Sequence, residues 1–147
     1  MKIDKSVQNK AEQIANPQLN NMSHALGIQF LELGKDKVKA TMPVNDKTVQ
    51  PMRILHGGAS VALAETLMSV GAWLNIDDDG KSAVGIEINA NHIRPVREGN
   101  IVIGTAEPLH RGKQTQVWET KITTEAGKLV CVSRCTLTIV NRRQPES

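Results

Sequence analysis

One stretch restricts what this chain can fold into more than any other. From Ala59 to Ile76, 12 of 18 residues are Ala, Val, Leu, Met, Trp or Ile. Ala62, Leu63, Ala64, Leu67, Met68, Val70, Ala72 and Trp73 go round most of a helix instead of along one stripe, which predicts a central helix packed on nearly every side. Leu55-His56-Gly57-Gly58 leads into it, so the two glycines fall where backbone N–H groups lack intrahelical acceptors. Asn75 and the polar run Asp77-Asp78-Asp79-Gly80 close it. A membrane-spanning reading fails, because a carboxylate stands at the middle of the run and small residues weaken it.

That carboxylate is Glu65, and Ser69 shares its face one turn on. The bland reading is a solvent-facing glutamate. Only Thr66 and Ser69 lie close by as polar neighbours, too few for an exposed stripe. The sharper reading is preferred: a carboxylate aimed at a pocket, where desolvation raises its basicity.

At 147 residues the chain is one domain with room for a sizeable core. Its 18 Lys and Arg against 15 Asp and Glu give a formal +3, too weak a balance to argue for nucleic acid. An aromatic content of 2% offers no base-stacking platform either. The balance does suit an anionic small ligand. Cys131 and Cys135 are four apart in a predicted strand, which puts their Cα atoms ~13 Å apart and rules out a mutual disulfide. They read as small buried hydrophobes in a reducing compartment. Met1-Lys2-Ile3-Asp4-Lys5 has no apolar signal-peptide core, and no 18-residue span is free of charge, so a cytoplasmic, membrane-free protein is expected.

Residues 1–27 are expected to form an N-terminal helical segment packed on the domain. Ile3, Val7, Ala11 and Ile14 make a weak stripe, and Asn16-Pro17 starts a second helix through Leu19 and Met22 that stops at Gly27. Strands follow at 29–33 and 37–42 around the turn Gly34-Lys35-Asp36, and a loop over 43–52 carries Gln50. Beyond the helix, alternation marks strands at 82–92, 100–108, 114–124 and 128–140, the last two joined by Glu125-Ala126-Gly127. Residues 28–141 are then the main domain and 142–147 a frayed tail. Two strands, one long apolar helix and four more strands predict an α+β architecture: a curved antiparallel sheet wrapped around one long central helix.

That arrangement is the hotdog fold, and particular residues sharpen the likeness. Gln50-Pro51, then Leu55-His56-Gly57-Gly58-Ala59-Ser60, Leu63-Ala64-Glu65 and Ser69 resemble the hotdog acyl-CoA thioesterases of the Arthrobacter 4-hydroxybenzoyl-CoA type. The run from Gly85 through Ile86-Glu87-Ile88-Asn89-Ala90-Asn91-His92-Ile93 to Arg94, with Pro108-Leu109-His110 and Gln116-Val117-Trp118, is similar to a narrower branch. That branch holds the 1,4-dihydroxy-2-naphthoyl-CoA hydrolases and the enterobactin proofreading thioesterases. The likeness covers about residues 20–140.

The resemblance implies roles. Glu65 would be nucleophile or general base against a thioester carbonyl, and the Gly57 N–H would polarise the carbonyl oxygen with help from Gln50. His56 would position the thioester, and Ser69 would orient the attacking water. It implies a site built from two chains in a homodimer, and a homotetramer as in relatives. Spacing agrees, since Gly57 and Glu65 are ~12 Å apart along one helix. The coenzyme A end would lie at Gly85, His92, Ile93, Arg94 and Pro95 and at the loop His110, Arg111, Gly112, Lys113, Gln114 and Thr115, where cations suit phosphates. Coenzyme A enters as part of the substrate, so no separate cofactor is implied.

No metal is expected. Lys81 and Ile88 break a calcium-loop pattern begun at Asp77, and Glu65 with His56 lacks a third ligand of suitable spacing. An acyl-CoA is therefore the expected partner, aryl by branch. The competing functions are a hotdog dehydratase or hydratase, which would need a pocket histidine at another spacing, and a non-catalytic acyl-CoA or acyl-carrier binder.

Overall fold

The computed structural model of the protein describes residues 1–16, 18 and 20–143. Its N-terminal part runs β1 (Lys2–Ile3), a 3-10 turn (Lys5–Val7), α1 (Gln8–Ile14) and α2 (Met22–Ala25). Then come β2 (Gln29–Leu33), β3 (Val38–Pro43) and the long helix α3 (Gly57–Leu74). Four long strands follow: β4 (Lys81–His92), β5 (Ile101–Arg111), β6 (Thr115–Thr124) and β7 (Leu129–Asn141). One sheet has the order β1-β2-β3-β5-β6-β7-β4. Every pair is antiparallel except β1–β2, where Lys2 and Ile3 run parallel to Glu32 and Leu33.

The fold is the expected hotdog, with two corrections. The sheet has seven strands instead of six, because two residues of β1 are too few to show a periodic pattern. And α3 is not enclosed on nearly every side. Ala59, Ser60, Leu63, Ala64, Leu67, Met68, Gly71, Ala72 and Leu74 are buried against the sheet. Val61, Ala62, Glu65, Thr66, Ser69 and Val70 on the opposite face are only half-buried. A sheet that curves in one sense covers one side of a helix, so the apolar residues of the other side stay available.

The N-terminal segment packs into the core of the domain. Val7 and Ala11 are fully in the core, with Ile3 and Ile14 packed against it. The second helix starts later than expected: Asn21 is its N-cap and accepts from His24 N at 3.1 Å, while Pro17 and Leu19 lie outside the described residues. So do residues 144–147 of the expected tail. Lys10 fastens α1 across the end of α3, its Nζ donating to the carbonyls of Trp73, at 2.9 Å, and Ile76. A cation at a helix C-terminus is well placed against the dipole. The Lys10 ammonium and the Arg142 guanidinium also lie 5.0 and 5.4 Å from the Trp73 ring centre.

Close contact fixes α3 on the sheet. Trp118 of β6 is fully buried, and its indole fills the notch left by Gly71, where an added Cβ would come within 2.6 Å of the ring. Overpacking of that kind outweighs the helix propensity that alanine would bring. Polar groups under the helix are satisfied: Trp118 Nε1 donates to Gln116 Oε1 at 2.8 Å, Gln116 Nε2 to the Ala72 carbonyl at 3.2 Å, and Thr120 Oγ1 to the Ala64 carbonyl at 3.4 Å. These bonds set the rotation of α3, and with it which residues face outward.

Candidate active site

The approach to α3 is tied down residue by residue. Gln50 N donates to Ile54 O at 2.9 Å, Leu55 N to Val96 O at 2.8 Å, and His56 N to Thr48 O at 2.8 Å. His56 is the N-cap, in extended backbone, and its Nδ1 accepts from Gly58 N at 2.8 Å. In the neutral ring that bond leaves the proton on Nε2, so the side chain offers a donor outward. Gly57, at the first helical position, has an N–H with no intrahelical acceptor. Around it lies a cleft of about 350 Å³ lined by Gln50, Leu55, Gly57, Ser60, His92, Ile93, Arg94 and Pro95 among others. Gln50 Oε1 is taken by Met52 N, which leaves its amide N–H groups for a ligand. His92 closes over the helix start, its Nε2 lying 2.9 Å from where a Cβ on Gly57 would be. Any side chain at 57 would fill the approach to that N–H.

Glu65 and Ser69 open elsewhere. With Met22, Gly58, Val61, Ala62, Thr66 and Val70 they line a groove of about 560 Å³ along the outer face of α3. The Glu65 carboxylate reaches toward the edge strand β4, with Oε1 2.6 Å from where a Cβ on Gly85 would be. Within one chain, then, the Gly57 N–H and the Glu65 carboxylate belong to two cavities.

The expected coenzyme A residues are also divided. His92 to Pro95 border the cleft at the start of α3. The loop from His110 to Thr115 lies at its other end, beside Asn75, and an 18-residue helix is ~27 Å long. Arg111 is engaged there: Nη1 donates to Asp36 Oδ1 at 2.7 Å and, at 3.2 Å each, to Lys35 O and Asn75 Oδ1. Gly112 N donates to Thr115 O at 2.9 Å, and Gln114 O accepts from Ile139 N at 2.9 Å, so the loop is a closed turn. Lys113 and His110 are exposed. Among the described residues no three His, Cys, Asp or Glu side chains gather as metal ligands, and no helix is long and apolar enough to cross a membrane.

Two neighbours of these residues were given no role by the sequence reading. Ser60, 2% exposed, lines the Gly57 cleft. Its spacing of three from Gly57 on one helix was the available signal. Cys135, buried and unpaired like Cys131, comes 3.7 Å from the same Gly85 Cβ position that Glu65 approaches. Nothing local in the sequence marks that contact, because it spans the sheet register. Burial, then the nearby Glu65 and Glu87 carboxylates, pushes the Cys135 thiol up to about 11. It therefore stays a neutral, weakly nucleophilic thiol near pH 7.

A stability consequence follows. A thiol pKa raised on folding contributes stability that is complete below the unfolded value, about 8.5, and is lost as pH rises toward 11. The melting temperature should fall over that window, and fall less in Cys135→Ala. Equal alkaline profiles for the two proteins would place the loss at other groups.

The comparisons with known proteins agree with the architecture. A family model described as the thioesterase superfamily matches residues 52–131. The chain is 49% identical over 120 residues to the 1,4-dihydroxy-2-naphthoyl-CoA hydrolase of Escherichia coli, covering 82% of this chain and 87% of that one. It is 48% identical over 115 residues to the proofreading thioesterase EntH of Cronobacter turicensis, covering 78% and 82%. A thioesterase from Haemophilus influenzae of known crystal structure superposes with a TM-score of 0.82 at 44% identity, covering 96% of this chain and 94% of that one. On fold, family match and relatives together, the chain belongs to the thioesterase superfamily and is a hotdog thioester hydrolase.

Proposed function

We propose that the protein hydrolyses the thioester of an acyl-CoA, with aryl acyl groups preferred, at a site made jointly by two copies of the chain. The observation that carries this reading is the division of parts on α3: an unsatisfied Gly57 N–H in one cavity and the Glu65 carboxylate, ~12 Å along the axis, in another. A second copy related by a two-fold axis brings Gly57 of one chain to Glu65 of the other, twice. The free edge supports it. Among the described residues, outer strand β4 runs for 12 residues without a partner on its far side, and Val84 and Ile86 stand 45% and 63% exposed along it. Long apolar edges of this kind are ordinarily paired or covered. The aryl preference rests on the naphthoyl-CoA hydrolase among the relatives.

The chemistry then runs as follows. The thioester carbonyl oxygen sits at the Gly57 N–H, at the positive end of the α3 dipole, with the Gln50 amide as a second donor. Glu65 takes a proton from a water held with Ser69, and the hydroxide adds to the carbonyl carbon. In the nucleophilic variant Glu65 adds first, and water resolves the acyl-carboxylate. The oxyanion collapses, the C–S bond breaks, and the thiolate leaves to be protonated as free coenzyme A. His56, fixed by its cap bond, offers Nε2–H to the thioester.

Release of free thiol from benzoyl-CoA tests the reading, and water addition to an enoyl-CoA without thiol release would replace it with the lyase alternative. The phosphates fall to Arg94 beside the Gly57 cleft, joined by Lys113 of the second copy, because within one chain Lys113 lies at the far end of α3. Arg94→Ala and Lys113→Ala should each raise KM several-fold with kcat little changed, because contacts far from the carbonyl stabilise ground and transition states alike. An unmoved KM in both variants would send the phosphates elsewhere.

A further inference from the structure

The inner row of β4 is irregular at one place. Gly85 registers with Leu137 and Glu87 with Thr136, so Ile86 is an extra, unpaired residue in a β-bulge. The bulge switches which positions face α3. Ala83 before it and Ile88 and Ala90 after it pack against the core, whereas Ile86 is 63% exposed. Gly85 completes the inward row Ala83–Gly85–Ile88–Ala90, and it is the member without a side chain. The vacated space is taken from the other side. Glu65 Oε1 lies 2.6 Å from the point a Cβ on Gly85 would occupy, closer than real Cβ contacts come.

We propose that Gly85 is a positioning residue for the hydrolysis: by presenting bare backbone inside the bulge, it gives the Glu65 carboxylate its seat between α3 and the open sheet edge. This rests on the reading of Glu65 as the reacting acid. The role is separate from any contact of Gly85 with coenzyme A, because it acts on where Oε1 is held. The neighbouring Cys135 thiol, a small neutral group, adds no charge to compete at that seat. The clash created by Gly85→Ala falls on the far end of a flexible side chain and not on backbone, so the fold absorbs it while the carboxylate moves. A displacement of about 1 Å in a reacting group is enough to cost up to 100-fold in rate.

The test is a set of kinetic constants with benzoyl-CoA. Gly85→Ala should lower kcat by about 10- to 100-fold, with KM changed less than kcat and the melting temperature and native mass kept. Glu65→Asp shortens the acid by one methylene and clears the added methyl. Glu65→Asp/Gly85→Ala should therefore be no slower than Glu65→Asp alone. That non-additivity is readable even if Gly85→Ala is less stable. Wild-type kcat in Gly85→Ala beside an inactive Glu65→Gln overturns the seat and leaves the acid in place. So does a strictly additive double variant, or an effect confined to KM. Full activity in Glu65→Gln removes the underlying reading instead.

Discussion

Replacing Glu65 by Gln should lower kcat for a CoA thioester at least ~100-fold and leave the melting temperature unchanged, because a positioned acid–base group contributes that much to the rate. Glutamine keeps the length and shape of the side chain on the half-buried outer face of α3, but its amide neither accepts the water proton nor adds to a carbonyl. Among the described residues Glu65 forms no ion pair, so its loss leaves no buried partner charge behind. KM should move little. Thiol release by the Gln variant at near-normal rate would remove Glu65 from the reaction.

The second large effect is a gain of activity on mixing. Glu65→Ala chains have an intact Gly57 cleft and no acid; chains carrying Gln50→Ala and His56→Asn keep the acid with a crippled cleft. Asparagine at 56 preserves an N-cap acceptor, so α3 still starts at the same place. Each parent should be nearly inactive. In a heterodimer with shared sites, both lesions fall in one site and the other is wild type, so random re-association should restore about a quarter of the wild-type activity. Heterodimers confirmed by native mass measurement, yet no more active than the parents, would place donor and acid within one chain.

Much of this architecture was written in short-range patterns. The turns at Gly27 and Gly127 require left-handed backbone, φ +73° and +84°, and both glycines mark the expected breaks. The long strands alternate visibly, and α3 ends within a residue or two of its polar flanks. What stayed hidden depends on contacts between distant parts. The enclosure of α3 was overstated because periodicity shows that a face is apolar, not whether this chain or another covers it. Arg111 is expected at the coenzyme A end by resemblance; that Asp36 and Asn75 lie beside it is legible only in the folded chain. The bulge at Gly85 was invisible too, since one extra residue in a strand leaves no compositional trace.

The notch at Gly71 also has an optical meaning. The chain has two tryptophans, Trp118 and Trp73, and no tyrosine. Trp118 is sealed between sheet and helix with its N–H on Gln116, so its emission is expected at the blue end and should report whether α3 is seated. Trp73 is flanked by Lys10 and Arg142 and reports whether the N-terminal segment is docked. With one emitter on each event, tryptophan emission during unfolding should separate undocking of the N-terminus from loss of the core.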